Sequence, residues 1–482
     1  MKKFLVIFII TGLFISNTLP AFCIEDGKNG TQKSYVTKSD NKGKKKAWKK
    51  RRKDVPDNYR VEYINKKWWD KFNDPILTEY VMKTADSNYD IKINALKVLE
   101  SHENIKESFG NELPSLTFGP TASREKFSGR IPYGGMFFPS YYAANIRFPL
   151  TVNYEVDIWG KNRFTTKRVQ KAYEAMMYEE KAAFISLTVL TATTYFNIIN
   201  LDKQIALQSE LVDIRKEILD LTKINYEYGL SSSTDVTVAD KLYTEALSDI
   251  ETLKNSQIKL LNQLAVLTGE SSENSSKLKR GSIDGVELLK DLPKSVPSEI
   301  IDKRPDILRA EAELQAAAFD VKIARRNLLP SINITGFLGF NAYRMASLFD
   351  WRSFIMSYGG GLTQPIFNGG RLIAQLRARK YKYDQMFNTY QKTILTSIQE
   401  INDSLADLKT NTVKNQNDKK RVGCETAYYN DICYKYKKGA VSYLDTLRNR
   451  ENLLSLQKEE IQSRTDAIIA SLSLYKSVGG QL

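Results

Sequence analysis

The sequence has almost none of the residues from which most catalytic and metal sites are built. Its 482 residues include one histidine, His102, and three cysteines, Cys23, Cys424 and Cys433. A zinc enzyme, a Ser-His-Asp hydrolase and a Cys-His protease are disfavoured, because His102 would have to be the only imidazole. Three cysteines are also too few for a disulfide framework. Cys424 and Cys433 are nine residues apart on one predicted helix, which places them on opposite faces.

Nucleotide and membrane signals are also sparse. No G-x-x-x-x-G-K-[ST] loop occurs, which disfavours a P-loop nucleotidase. After the first segment there is no run of eighteen consecutive apolar residues, so we expect no transmembrane helix in the mature chain. The 42% hydrophobic and 26% charged residues nevertheless predict a folded protein with a real core. We therefore predict no enzyme activity, no cofactor and no metal.

The net charge of +15 is concentrated in one short tract. Between Lys28 and Lys53 there are twelve basic residues and one acid, Asp40, which gives 12 − 1 = +11 and leaves 15 − 11 = +4 for all other residues. Alone, such a tract indicates nucleic-acid binding. Because it follows an export signal, we predict instead a solvated tail near anionic lipid or peptidoglycan, with no nucleic-acid partner.

The first residues predict export from the cytoplasm. Residues 1–23 combine a positive start, a short apolar stretch and small residues near Ala21, the pattern of a secretory signal peptide. Cys23 is a candidate for lipidation, although Phe22 directly before it is a poor fit to a lipoprotein signal. The alternative is ordinary cleavage between Ala21 and Cys23. Residues 24–55 lack apolar periodicity and predict a basic disordered extension.

The remainder of the chain contains two similar repeats. We predict a first repeat over residues 56–269, a connecting segment over 270–295 and a second repeat over 296–482. The landmarks recur at offsets of 210 or 216 residues, and they are Tyr226-x-x-Gly229 with Asp235 against Tyr436-x-x-Gly439 with Asp445, Gly160-Lys161 against Gly370-Arg371, and Leu113-Pro114-Ser115 against Leu329-Pro330-Ser331.

Each repeat predicts a helix, two strands and then long helices. The first helices are Asp74–His102 and Arg304–Asn327, each with proline and acid at its start. The long stretches are Lys161–Asn200 and Arg371–Thr410, each followed by a partner helix. Gly229 and Gly439 are expected to interrupt the returning helices.

Alternating side chains predict strands suited to a membrane barrel. From Ile146 to Ile158 apolar residues occupy every second position, a pattern typical of strands with one lipid-facing side. Half-buried strands of a soluble sheet are the alternative. The four candidate strands are Leu116–Phe127, Asn145–Trp159, Pro330–Asn341 and Phe354–Phe367. Since an open sheet edge cannot face lipid and closure needs about eight strands, chains must pool their strands.

Several motifs resemble those of the outer-membrane factor family of tripartite efflux systems, the TolC-like channels. The similarity is greatest to the branch that pairs with resistance-nodulation-division pumps. The matching segments run through nearly the whole mature chain, and they are Trp68-Trp69 to Leu77, Asn153 to Lys161, Leu292-Pro293 to Leu314, and Pro365 to Arg371.

The resemblance implies an α+β membrane protein whose chain contains two tandem repeats, each built as helix, strand, strand and long helices, and forms a trimer. Three chains would form a twelve-stranded outer-membrane β-barrel, continued by a periplasmic α-helical barrel. Its function would be a passive exit duct. The implied partners are a periplasmic adaptor protein, an inner-membrane resistance-nodulation-division pump and outer-membrane lipid, without any cofactor.

The resemblance also implies a gate at the periplasmic end, near the tip turn of the second repeat. Leu405 matches the apolar constriction of the family, and Asp407 follows it, whereas Lys409 occupies the position where the family often has an acid. Tyr195 corresponds to Leu405 in the first repeat. In a trimer one acid per chain forms a ring of carboxylates that selects cations or blocks the pore. The alternative is a solvated face at a helix end.

A second class of function also fits the long helices. A secreted or periplasmic coiled-coil scaffold or adaptor without a pore would need them too. The alternating strands favour the duct over this alternative.

Overall fold

The computed structural model describes residues 68–132, 134–137, 139–286 and 301–480. The predicted signal peptide 1–23, the candidate lipidation site Cys23 and the basic extension 24–55 lie outside these residues. The compact unit described below belongs to residues 58–482.

The chain enters this unit through a buried aromatic turn and two helices. A 3-10 turn spans Trp68–Phe72, and it is followed by α1 (Pro75–Ser87) and α2 (Tyr89–Gly110). The prediction of one continuous helix over Asp74–His102 is wrong, because Asn88 ends the first helix and caps the second. Its side-chain oxygen accepts hydrogen bonds from the next helix, and its amide donates to the Leu267 carbonyl at 2.9 Å. A buried cap of this kind satisfies backbone groups that a helix start leaves free.

The strands form one antiparallel sheet at the end of these helices. They are β1 (Ser115–Phe118), β2 (Thr121–Phe127), β3 (Tyr141–Val156), β4 (Ser331–Ala342) and β5 (Phe354–Thr363). β1 and β2 both pair with β3 in a single register, so they are one predicted strand broken at Gly119-Pro120. The spatial order is therefore β1 and β2, then β3, β4 and β5.

A proline in the middle of the sheet is accommodated by the glycine opposite it. Pro149 of β3 lies directly across from Gly339 of β4. A Cβ atom at Gly339 would lie 2.1 Å from the Phe148 carbonyl oxygen, far inside any normal contact. The close approach of these two strands therefore requires a residue without a side chain at this position.

The two repeats contain helices of equal length. α3 (Lys161–Glu227) and α6 (Arg371–Lys437) each have 67 residues, and α4 (Ser233–Leu267) and α7 (Tyr443–Ser477) each have 35. α5 (Pro305–Arg326) has 22, as α2 does. The long helices do not end near Asn200 and Thr410 as the sequence suggested. They run on to the turns at Gly229 and Gly439, about 100 Å at 1.5 Å per residue.

The helices form one layer, and different helices are neighbours in its two halves. Near the sheet the order is α2, α3, α5 and α6, and towards the turns it is α4, α3, α7 and α6. α3 and α6 therefore run through the whole layer, and the shorter helices fill the spaces beside them. In both halves α6 has an open side.

The main core lies where α3 crosses the first turn and α7. Trp69, Phe196 and Ile468 are at most 1% exposed there. The same part of α3 contains a window of mean hydropathy 1.5, long and apolar enough to resemble a membrane span, and 56% of that window is buried. Since its side chains pack against Phe72 and α7, we assign it to the protein core.

The described part of the connecting segment packs back onto the first repeat. Tyr80 donates a hydrogen bond to the Lys279 carbonyl at 2.9 Å, and burial raises the pKa of Tyr80 to about 12. Ile283 is 1% exposed. Arg464 of α7 donates to the Val286 carbonyl at 2.8 Å. The segment therefore joins the two repeats by packing as well as by the chain itself.

A buried arginine ties together three helices of the second repeat. Arg304, 5% exposed, donates to Asp306 at 2.7 Å and to Glu400 of α6 at 2.6 Å, and it also contacts the Ser477 carbonyl of α7. Burial tends to raise the pKa of Asp306, but hydrogen bonds and positive charge from Arg304 lower it below its usual value. The cluster holds the start of α5 against α6 and α7.

We expect Gly339→Ala to prevent pairing of β3 with β4, because the added Cβ would collide with backbone that cannot move without breaking the ladder. Gly359→Ala on β5 is the matched control, since a Cβ there meets nothing within 4 Å. The measurement is the folded fraction of purified protein from heat-dependent gel mobility and circular dichroism. Equal folded fractions for the two variants would contradict the register described here.

We expect Arg304→Gln to lower the free energy of unfolding by about 2 kcal/mol, because it removes charge-assisted hydrogen bonds to two carboxylates. Arg309→Gln, whose charge is half exposed, should cost less than about 1 kcal/mol. Because the pKa of Asp306 is lowered by folding, its ionised carboxylate stabilises the fold at pH values above its unfolded pKa of about 4. This stabilisation is lost as the pH falls through the folded pKa. Denaturant unfolding at pH 7 and pH 3 should therefore show a difference between wild type and Arg304→Gln that shrinks in acid.

Candidate functional site

The sheet has one apolar face and one polar face. Cross-strand partners lie on the same side of an antiparallel sheet, so the register assigns every side chain to a face. The apolar face includes Leu116, Phe118, Phe148, Leu150, Val152, Ile334, Leu338, Phe340, Met356 and Leu362. The polar face includes Thr117, Arg147, Thr151, Asn153, Glu155, Asn333, Thr335, Ser357 and Thr363.

Most of the apolar face is open, although Phe349 packs against Phe148 and Phe340 near one end of it. Phe118 is 60% exposed, Met356 62% and Leu362 68%. A soluble sheet would bury such a face against a helix or a second sheet. An apolar surface left open beside a polar one is the arrangement of a sheet that separates lipid from water.

Both edges of the sheet lack a partner strand within the described chain. β1 and β2 pair only with β3, and β5 pairs only with β4. Each edge therefore presents free backbone N–H and C=O groups, which in lipid would cost several kcal/mol apiece. The sheet needs further strands from outside the described residues to complete it.

The helical layer has matching open edges. α6 exposes Tyr381, Phe387, Leu395 and Val413 on one side. On the other side, α2 exposes Tyr89 and Ile93, and α4 exposes Ile258 and Val266. Exposed apolar side chains along both edges are typical of surfaces that pack against another protein surface.

At the end far from the sheet, two similar turns lie next to each other. Residues 228–232 join α3 to α4, and residues 438–442 join α6 to α7. In each, a serine caps the following helix and an aspartate three residues on completes the capping box. The repeated Tyr-x-x-Gly motif therefore marks the turn itself and does not interrupt the returning helix.

Charged contacts join the two helix pairs near these turns. Arg215 of α3 pairs with Glu451 of α7 at 2.7 Å, and Arg450 of α7 pairs with Glu210 of α3 at 2.7 Å. Tyr443 donates to Glu217 at 2.8 Å, and this hydrogen bond raises the pKa of Tyr443. These contacts must break if the two helix pairs are to separate.

A cavity of about 310 Å³ lies between the same helix pairs. Its wall contains both signs of charge, from Arg215, Asp235, Arg448 and Glu451. Sequence reasoning missed this region, although the repeated motif with Asp235 and Asp445 was the signal that could have found it.

The candidate gate residue Tyr195 cannot line a pore. It is 0% exposed within the main core, and its hydroxyl donates to Asp74 at 2.6 Å. Burial and the adjacent carboxylate raise the pKa of Tyr195. A Cβ at Gly281 would lie 2.5 Å from its hydroxyl, so the connecting segment also covers it. The prediction for Tyr195 is wrong because an apolar core position and a constriction look alike in sequence.

The other two candidates do not lie near a turn. Leu405 is on α6, 33 residues before the turn at Lys438, about 50 Å away along the helix. It is half-buried against a small core that includes Leu408, Leu474 and Val478. Asp407 is exposed on the same segment. The predicted location at the tip is wrong, while a gate role for Leu405 and Asp407 stays a prediction.

The family assignment follows from comparison with known proteins. A model of the outer membrane efflux protein family matches residues 82–270 and 296–480, the two repeats described above. The chain belongs to this family. Members are transport conduits and not enzymes. No group of potential ligands among the residues described here could hold a metal ion.

Named relatives are outer membrane proteins of efflux and export systems. The chain is 27% identical over 414 residues to the probable efflux pump outer membrane protein TtgC of Pseudomonas putida, which covers 86% of this chain and 84% of TtgC. It is 26% identical over 417 residues to the pyoverdine export outer membrane protein OpmQ of Pseudomonas aeruginosa, covering 86% and 87%.

Solved structures show the same fold. The CmeC outer membrane channel of Campylobacter jejuni matches with a TM-score of 0.79 at 25% identity, covering 86% of this chain and 88% of that one. The outer membrane protein VceC of Vibrio cholerae matches with a TM-score of 0.75 at 21% identity, covering 86% and 98%, which bears on the fold alone. The chain is therefore a TolC-like exit duct of an efflux system in the cell outer membrane.

We expect the double variant Arg215→Gln with Arg450→Gln to loosen the far end of the duct. Two partly exposed ion pairs of about 1 kcal/mol each should raise the population of separated helix pairs by roughly tenfold or more. The measurement is the ion conductance of purified protein in planar bilayers. Lys254→Gln is the control, because its pair with Glu251 lies within α4. Conductance equal to wild type in the double variant would contradict a closing role for these contacts.

Proposed function

We propose that three copies of this chain close their open edges into one continuous channel. The observation that carries this proposal is the sheet with two unpaired edges and a largely exposed apolar face. Each chain contributes four strand positions, counting β1 and β2 as one. Three chains give twelve strands, within the range of closed outer-membrane barrels, with the apolar face towards lipid and the polar face towards the lumen.

The helices would continue the same channel below the membrane. In the closed ring, the open side of α6 meets α2 near the sheet and α4 towards the turns of the next chain. The exposed apolar residues on those edges would then be buried. A tube about 100 Å long follows from the length of α3 and α6. The turns at Gly229 and Gly439 would form its far opening.

We further propose that the tube is periplasmic and receives cargo from an inner-membrane pump of the resistance-nodulation-division type through a periplasmic adaptor. Relatives of similar identity are named for unlike cargoes, toluene in one case and pyoverdine in another. This supports a passive duct whose cargo is selected by its pump. Exposed Asp407 would contribute three carboxylates to the tube at mid-height.

The purified full-length protein should have the mass of a trimer in detergent and conduct ions in planar bilayers. It should also stay with the outer membrane after a carbonate wash, because a closed barrel is held by lipid contacts that high pH does not remove.

The coiled-coil scaffold is the rival that these measurements test. A scaffold would be released by carbonate and would show no conductance, and that combination would overturn the channel proposal. A dimer would overturn the twelve-stranded barrel while leaving a smaller closed barrel as the alternative.

A further inference from the structure

On the apolar face of the sheet, two basic residues lie at the strand ends farthest from the helices. Arg124 lies opposite Ala144, and Lys126 lies opposite Tyr142. The same register places Ala122 opposite Ile146, so both cations lie on the face that carries the apolar side chains. Glu125 points to the other face. The alternation that otherwise keeps charge off this side is broken at these two positions.

The position of this change matches the thickness of a membrane. From Val156 to Ile146, β3 advances ten residues, about 33 Å along the strand. Tilted by about 40°, as barrel strands are, this length spans about 25 Å, the height of the apolar band in outer-membrane barrels. Arg124 lies opposite Ala144, which is the next residue of β3 on this face beyond Ile146, where the apolar band ends. Both cations therefore lie at the level of lipid headgroups.

Both cations are held over one aromatic ring. The Arg124 guanidinium carbon is 4.9 Å from the centre of the Tyr142 ring, and the Lys126 ammonium is 5.6 Å from it. The ring attracts the cations and fixes their direction without neutralising them. No carboxylate in the described ranges forms an ion pair with either side chain. Two adjacent positive charges are thus left unbalanced beside an apolar surface.

We propose that Arg124, Lys126 and Tyr142 form a binding site for the phosphate group of an outer-leaflet lipid. The guanidinium fork and the ammonium both suit a phosphate. The apolar face below them, with exposed Phe118, would contact the acyl chains of the same molecule. This continuity favours a phospholipid or phosphoglycolipid over free phosphate. The inference rests on the proposed barrel, which places this face in lipid, and a trimer would carry three such sites.

Native mass spectrometry of the full-length protein in detergent tests the site, with diphosphorylated lipid A as the probe. The variant is Arg124→Gln with Lys126→Gln, and the matched control is Arg147→Gln, a cation on the polar face of the same strand pair. We expect the double variant to bind at least roughly tenfold more weakly, because charge-assisted hydrogen bonds are lost. The control should bind as wild type does. Dephosphorylated lipid A should bind wild type as weakly as lipid A binds the double variant.

Trimer mass and bilayer conductance, recorded on the same preparations, distinguish failure of the proposed channel from failure of the lipid site alone. If wild type forms no conducting trimer, the proposed function falls and this site falls with it. If conducting trimers form and the double variant binds lipid A as wild type does, only the lipid site is overturned. Equal weakening by Arg147→Gln would show general charge attraction and would also overturn it. Displacement of lipid A by equimolar inorganic phosphate would overturn the lipid assignment.

Discussion

Unpaired backbone groups along the edges of the sheet constrain everything else in this molecule. A sheet with an apolar outer face belongs in lipid, where no water is available to hydrogen-bond an open edge. Within the described residues, β5 and the β1–β2 strand have no partner along their outer edges. In the proposed trimer, strands from other copies would pair with these edges, and closure would bring the open sides of the helical layer together. A single requirement for hydrogen bonds would then account for the assembly of both the proposed barrel and the proposed tube.

The interior of each chain is arranged to hold its edges in place. Arg304 fixes α5 against α6 and α7 in the second repeat, and the connecting segment packs over Tyr195 in the first. These contacts cluster near the middle of the long helices. Towards the turns, the contacts between repeats combine partly exposed ion pairs with buried apolar side chains such as Ile218 and Leu447.

The sequence predicted the strands well and the helix ends poorly. Alternation over Ile146–Ile158 and the landmark offsets correctly indicated β3 and the order of elements, because both depend on local pattern. The break at Asn88 and the full length of α3 depend on contacts between distant parts of the chain. Asn200 looks like the end of an apolar helix, yet its amide donates to Gln462 of α7 at 2.9 Å. Placing the turn near that residue also misplaced the gate candidates, since Leu405 and Asp407 were sought near a turn that lies about 50 Å further on.

The equal lengths of α3 and α6 make the two repeats interdependent in evolution. Both helices start at the sheet and end at adjacent turns, so they must have the same length to keep their ends in contact. An insertion of a full helical turn in only one of them would shift its end by about 5.4 Å. The contacts of Arg215 and Tyr443 across the repeats would then lose their partners. Changes in the reach of this duct must therefore be inherited in pairs, one in each half of the gene.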